Sequence, residues 1–90
     1  MTMDEYTITV SRSARKELER LDKQVVRRII EKIEGLSSSP RPPECCKVHI
    51  YPGLWRLRAG DYRVIYSIED ERRHVDIIAV RHRRDAYQPR

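Results

Sequence analysis

No apolar run in this chain approaches the roughly 18 residues that a membrane-spanning helix needs, which argues against helical membrane insertion. The opening residues MTMDEYTITV are acidic and lack the hydrophobic run of a secretory signal. Cysteine is scarce, and the two present, Cys45 and Cys46, are adjacent. A disulfide between neighbours is strained, so both are expected as reduced thiols in a cytoplasmic protein. With His49 they do not make a zinc spacing, and neither metal nor cofactor is expected. The chain shows no internal repeat and no obvious Ser or Cys nucleophile. Acids are too few to balance the bases: 14 Asp and Glu against 19 Lys and Arg leave a formal charge of +5. The sequence pI is about 9.6. Such a balance suits a polyanionic partner. The 90 residues make one domain, 1–90, near the lower size limit for a self-sufficient core.

The most informative stretch is Leu54 to Tyr66, LWRLRAGDYRVIY. It reads as two strands about a two-residue loop, Gly60-Asp61, with glycine at the first central position. That loop pairs Ala59 with Tyr62, Arg58 with Arg63, Leu57 with Val64, Arg56 with Ile65 and Trp55 with Tyr66. Because strand side chains alternate, Trp55, Leu57, Tyr62, Val64 and Tyr66 form a core face. Arg56, Arg58 and Arg63 share the other. Like charges directly opposite each other destabilise a sheet. At about 7 Å the repulsion is roughly 0.6 kcal/mol in bulk water and about 2.4 kcal/mol at an effective dielectric of 20. A bound anion reverses its sign. The arginines therefore read either as a solvated basic face or as a site for a phosphate backbone.

Around this hairpin the chain organises simply. Tyr6 to Val10 alternates as a first strand. Ser11 or Ser13 caps a helix whose apolar stripe is Ala14, Leu18 and Leu21. Asp22 breaks it and starts a second helix with Val25, Val26, Ile29, Ile30, Ile33 and Leu36 at helical spacing. Two helices joined so closely predict an antiparallel pair with a shared apolar seam. The run SSSPRPP (37–43) ends the second helix. Lys47 to Ile50 reads as a short edge strand, and His74 to Val80 as a last, central strand. The expected class is α+β, in the arrangement β-α-α-β-β-β. One twisted, mostly antiparallel sheet carries an N-terminal helical hairpin on one face. The C-terminal run from Arg81 to Tyr87 leaves the last strand and can fold toward the helix-free face. It adds Arg81, Arg83 and Arg84 against one acid, Asp85, together with His82 and Tyr87.

These residue types suit phosphodiester chemistry. Arginine forks bind phosphate oxygens bidentately and stabilise a phosphorane-like transition state. Imidazole changes charge near neutral pH, so His82 can act as acid or base. Tyr87 can stack on a base or place its hydroxyl at the phosphate. RNA brings its own nucleophile, the 2′-OH, so no protein nucleophile is required. The bland alternatives are a surface histidine, a hydrophobic terminal tyrosine and an electrostatic arm.

LWRLRAGDYRVIY, an acidic turn, an apolar strand and VRHRRDAY together resemble the RelE/ParE toxin superfamily, most closely RelE-type mRNA interferases. The resemblance spans nearly the whole chain. It implies a ribosome-dependent endoribonuclease of a type II toxin–antitoxin system, which cuts mRNA in the A site and leaves a 2′,3′-cyclic phosphate. It also implies a cognate antitoxin that wraps the toxin, with ribosome and mRNA as the other partners. Within it Arg63 matches the sheet arginine that stabilises the transition state, Arg83 the C-terminal arginine and Tyr87 the terminal tyrosine. Together with the reading of the residues above, the expected catalytic set is Arg58, Arg63, His82, Arg83 and Tyr87, and Arg56, Arg58, Arg81 and Arg84 are expected to bind RNA phosphate. Arg56 and Arg58 depart from the family, whose best-known RelE toxins have lysines there. Lysine can release a proton at moderate cost and arginine in effect cannot, which leaves the general base open. The superfamily also implies an alternative, a ParE-like inhibitor of DNA gyrase that is not a nuclease. A bare RNA-binding module fits the charge but leaves HRRDAY unexplained.

Overall fold

The computed structural model describes residues 5–84. Its elements are β1 (Thr7–Val10), α1 (Arg12–Glu19), α2 (Lys23–Gly35), β2 (Cys45–Lys47), β3 (Leu54–Ala59), β4 (Tyr62–Glu69) and β5 (His74–His82). The strands form one sheet in the order β1-β5-β4-β3-β2. β5 is central as expected, lying parallel to β1 and antiparallel to β4. The remaining neighbours are antiparallel. This is the expected α+β arrangement, β-α-α followed by strands, with the short edge strand β2 included.

Each helix forms where its start signal and apolar spacing coincide. Ser11 is the N-cap of α1, its hydroxyl accepting the Ala14 N–H at 3.1 Å. Ala14 and Leu18 point into the core. Asp22 is the N-cap of α2 through its backbone, the Val26 N–H reaching the Asp22 carbonyl at 2.9 Å. Ile29, Ile33 and Leu36 are buried against Leu57, Val64, Tyr66, Val75, Ile77 and Val80 of the sheet. The seam between the helices is open on its outer side, where Leu18, Leu21, Val26 and Ile30 line a groove.

The hairpin register is as the loop dictates: Ala59↔Tyr62, Arg58↔Arg63, Leu57↔Val64, Arg56↔Ile65 and Trp55↔Tyr66. Gly60 has φ 62°, while Asp61 is not among the positive-φ residues. That is the II′ pattern, which glycine adopts without a Cβ penalty.

The edge strand departs from expectation. Lys47 to Ile50 does not form it; Cys45–Lys47 does, pairing with Leu57, Arg56 and Trp55. The connection to β3 consumes residues 48–53, closed by Val48 N–H to Leu54 carbonyl at 3.0 Å, with Gly53 at φ 85°. A turn of that length pushes the paired residues upstream.

Trp55 is half-buried rather than enclosed. Arg41 lies over its ring at 5.1 Å and Lys47 at 5.8 Å. Arg41 also ties the Pro-containing loop to the β4–β5 turn by a fork onto Asp70, at 3.1 and 2.8 Å, and the Tyr6 hydroxyl donates to the same carboxylate at 2.7 Å. Hydrogen bonds from Arg41 and then Tyr6 hold the Asp70 carboxyl below its ordinary pKa. A depressed carboxylate contributes stability above its unfolded-state pKa and loses it as pH falls through the folded one. Asp70→Asn should therefore lower the melting temperature near pH 7 and leave it unchanged once acid has protonated Asp70 in the parent. A pH series of thermal melts of both proteins checks this.

Candidate functional site

Three arginines lie side by side across three strands. Arg63 on β4 is opposite Arg58 on β3 and opposite Arg81 on β5. The row sits on the face away from α2, because Leu57, Val64 and Val80, the adjacent residue on each strand, are buried beneath the helices. Arg58 and Arg81 are exposed and Arg63, between them, is half-buried. The Arg63 Nη1 donates to the Tyr62 carbonyl at 3.3 Å, which holds the guanidinium near its strand.

In sequence, Arg81 and His82 read as part of a segment leaving the last strand, but they extend β5 to His82, and Arg81 joins this row because of an irregularity in that strand. The β4–β5 ladder shifts register between Ile65 and Tyr66: Ile65 pairs with Ala79, and Tyr66 pairs with Ile77. Ile78 is the extra residue. Val75 and Ile77 are both fully buried, and strict alternation from them would send Arg81 to the helix side. One bulged residue reverses that alternation and re-aims everything after it. The bulge occurs where β1 gives way to α1. There the Ile78 carbonyl accepts hydrogen bonds from the Ser11 and Ser13 hydroxyls, at 2.8 and 3.2 Å. The four apolar residues from Ile77 to Val80 were the available signal, since a one-sided strand would alternate.

The same shift separates His82 from the row. His82 pairs with Tyr62, one step out of phase with Arg63 and Arg81. Its ring stands edge-on to Tyr62 at 5.2 Å. Its Nδ1 accepts the Arg84 N–H at 3.2 Å, which places the proton of the neutral ring on Nε2. His82 still reaches the end of a cleft of about 710 Å³ on the arginine face. Leu54, Ile65 and Ala79 contribute apolar floor to this cleft, and the turn at residues 48–51 forms a wall. Ile50 and Tyr51 on that turn are the exposed large hydrophobics among the described residues.

The other predicted residues are placed as follows. Arg56 also lines the cleft, and its Nη2 lies 2.8 Å from the Cys46 sulfur. Arg83 and Arg84 form the turn after β5. The Arg83 N–H donates to the Asp61 carbonyl at 2.7 Å, and its guanidinium is 4.0 Å from the Asp61 carboxylate. That contact brings the end of β5 to the hairpin loop. Asp85 and Tyr87 lie outside the described residues. Among the described residues, no helix is long and apolar enough to cross a membrane.

A mixed five-stranded sheet with two helices is the architecture of the RelE-type toxins. The archaeal RelE–RelB complex from Pyrococcus horikoshii OT3 contains it, with a TM-score of 0.78 and 31% identity over 88% of this chain and 96% of that one. The intact Escherichia coli RelBE complex matches with a TM-score of 0.72 and 28% identity, over 86% and 95% of the two chains. Residues 8–87 match the family described as ParE toxin of type II toxin-antitoxin system, parDE, and the chain belongs to that family. Toxin RelG of Mycobacterium tuberculosis is 32% identical over 84 residues, covering 92% of this chain and 97% of that protein. The protein is thus a toxin of the type II toxin–antitoxin class.

Proposed function

We propose that this toxin is a ribosome-dependent endoribonuclease that cuts mRNA in the A site. The observation that carries the reading is the Arg58–Arg63–Arg81 row on the helix-free face. Arg58 and Arg63, directly opposite each other, repel until an anion joins them, and a phosphodiester supplies the charge and the acceptor geometry. In the reaction the 2′-oxygen attacks the adjacent phosphorus and the 5′-oxygen leaves, giving a 2′,3′-cyclic phosphate. Arg63 faces the negative charge that accumulates on the non-bridging oxygens, with Arg58 beside it. Arg56, Arg81 and Arg84 hold the flanking backbone, Arg83 adds a further cation from the turn after β5, and Tyr87, outside the described residues, completes the proposed set. His82, through Nε2, is the group offered for proton transfer. No step requires a metal.

The deciding experiment is cell-free translation with 5′-end mapping of the mRNA, run beside a gyrase supercoiling assay. Cuts within codons that depend on ribosomes support the reading. Intact mRNA with inhibited supercoiling would transfer the protein to the gyrase-directed branch. For His82 the informative quantity is the pH profile of the single-turnover rate. His82→Ala is expected to lower the rate and remove the limb near neutrality, and a retained limb assigns proton transfer elsewhere.

A cognate antitoxin is the proposed regulator, consistent with the RelE–RelB complexes of similar chains. The net charge of +5 calls for an acidic segment, and the apolar cleft floor calls for apolar side chains within it. Its affinity should fall as salt rises, with the apolar contacts limiting the slope. Titrations at two ionic strengths measure this. The proposed site of action, with ribosome and mRNA, is the cytoplasm.

A further inference from the structure

Glu17 is the single acid lining the arginine cleft among the described residues. It lies on α1, outside every motif that pointed to RNA. Its carboxylate makes two contacts with consecutive residues of β5. Oε1 accepts the Val80 N–H at 2.8 Å, and Oε2 pairs with Nη1 of Arg81. β1 ends opposite Ile77, so beyond that point β5 has no strand on its outer side. Glu17 supplies there the acceptor that a neighbouring strand would have supplied.

We infer that Glu17 is a positioning residue for Arg81, fixing the guanidinium at the end of the arginine row; this rests on the endoribonuclease reading above. Exposed ion pairs usually contribute little, because two flexible side chains must be held in one geometry. Here the carboxylate is anchored already by a backbone amide, and its side chain is only 21% exposed. Arg81 is 48% exposed and lines the cleft together with Glu17. A guanidinium has five N–H donors, and the contact through Nη1 leaves others for a phosphate. Glu17 also offsets repulsion from Arg63, which would otherwise drive Arg81 out into solvent. The bulge at Ile78 selects the face on which Arg81 lies, and Glu17 selects its direction on that face.

The test uses the full-length toxin with Glu17→Ala, Glu17→Gln, Arg81→Ala and the double variant Glu17→Ala/Arg81→Ala. Glu17→Gln keeps an acceptor for the Val80 N–H and removes the charge, so it guards against simple loss of folding. On saturating programmed ribosomes, Glu17→Ala should lower the single-turnover rate by about 10- to 100-fold, the scale for a misplaced group. Glu17→Gln should fall between it and the parent, and ribosome affinity should change little. In the Arg81→Ala background Glu17→Ala should have no further effect, since its action passes through that side chain. A parent-like rate in folded Glu17→Ala, or an equal loss with and without Arg81, would overturn the inference. A second arm needs no RNA: nitrogen-15 NMR of the Arg81 guanidinium. Restricted rotation should be present in the parent and lost in Glu17→Ala; free rotation in the parent would also overturn the inference. A parent that leaves mRNA intact defeats the endoribonuclease reading instead, and the guanidinium signal still decides whether Glu17 orders Arg81.

Discussion

Arg63→Ala should lower the single-turnover cleavage rate on saturating ribosomes by on the order of 10²–10³, the scale for losing one preorganised charge-stabilising donor. Ribosome affinity should barely change. The expectation follows from where Arg63 sits. It is in the middle of the row, on a strand paired on both sides, and it is half-buried between two exposed arginines. A donor held there loses little freedom as the transition state forms. Arg63→Lys should recover only part of the rate, because an ammonium keeps the charge but not the planar fork. Arg27→Ala is the matched control. Arg27 lines the groove between α1 and α2, away from the arginine row. Its loss should affect docking at most and leave the rate on bound ribosomes intact. A folded Arg63→Ala protein that cleaves at the parent rate would defeat the proposed mechanism as a whole.

The largest effect on stability is expected at Tyr66. It is fully buried under α2, and its hydroxyl donates to the Pro40 carbonyl at 2.8 Å. Burial, followed by the neighbouring Cys45 thiol, pushes the phenol well above its ordinary pKa, so the hydroxyl stays a donor throughout the physiological range. Tyr66→Ala should cost about 3–5 kcal/mol, as for other large aromatic truncations. For a small domain that is a large share of the roughly 5–15 kcal/mol available. Tyr66→Phe should cost only about 1 kcal/mol, the net value of one hydrogen bond. Urea denaturation of the three proteins separates the terms. Equal losses in the two variants would mean that the link to Pro40, and not the packing of the ring, holds the loop against the sheet.

The hairpin, the helices and the core face of β3 and β4 could be read directly from residue order. In each the deciding interactions are local. A two-residue loop with glycine first sets which residues face each other, and the period-2 pattern sets which side they take. Ala14 and Leu18, or Ile29 and Ile33, share a helical face through spacing alone. Arg58 opposite Arg63 follows from the same rules. β2 was less legible because a three-residue edge strand carries little pattern, and the length of the turn after it decides which three residues pair.

What the linear order did not contain was the strand position of the third arginine, or the acid beside it. Placing Arg81 in the row requires β5 to pair with β4 on one side and β1 on the other. It then requires one bulged residue, held by Ser11 and Ser13 from a helix more than 60 positions away. Before that residue β5 alternates in one phase and after it in the other, so Arg81 and His82 exchange faces relative to a straight strand. Glu17 likewise has no neighbour in sequence that hints at Arg81. Local rules determined which arginines oppose each other across the hairpin. Only the packing of α1 along the open edge of β5 decided that Arg81 stands with them, because a bulge forms where distant side chains satisfy the carbonyl it frees.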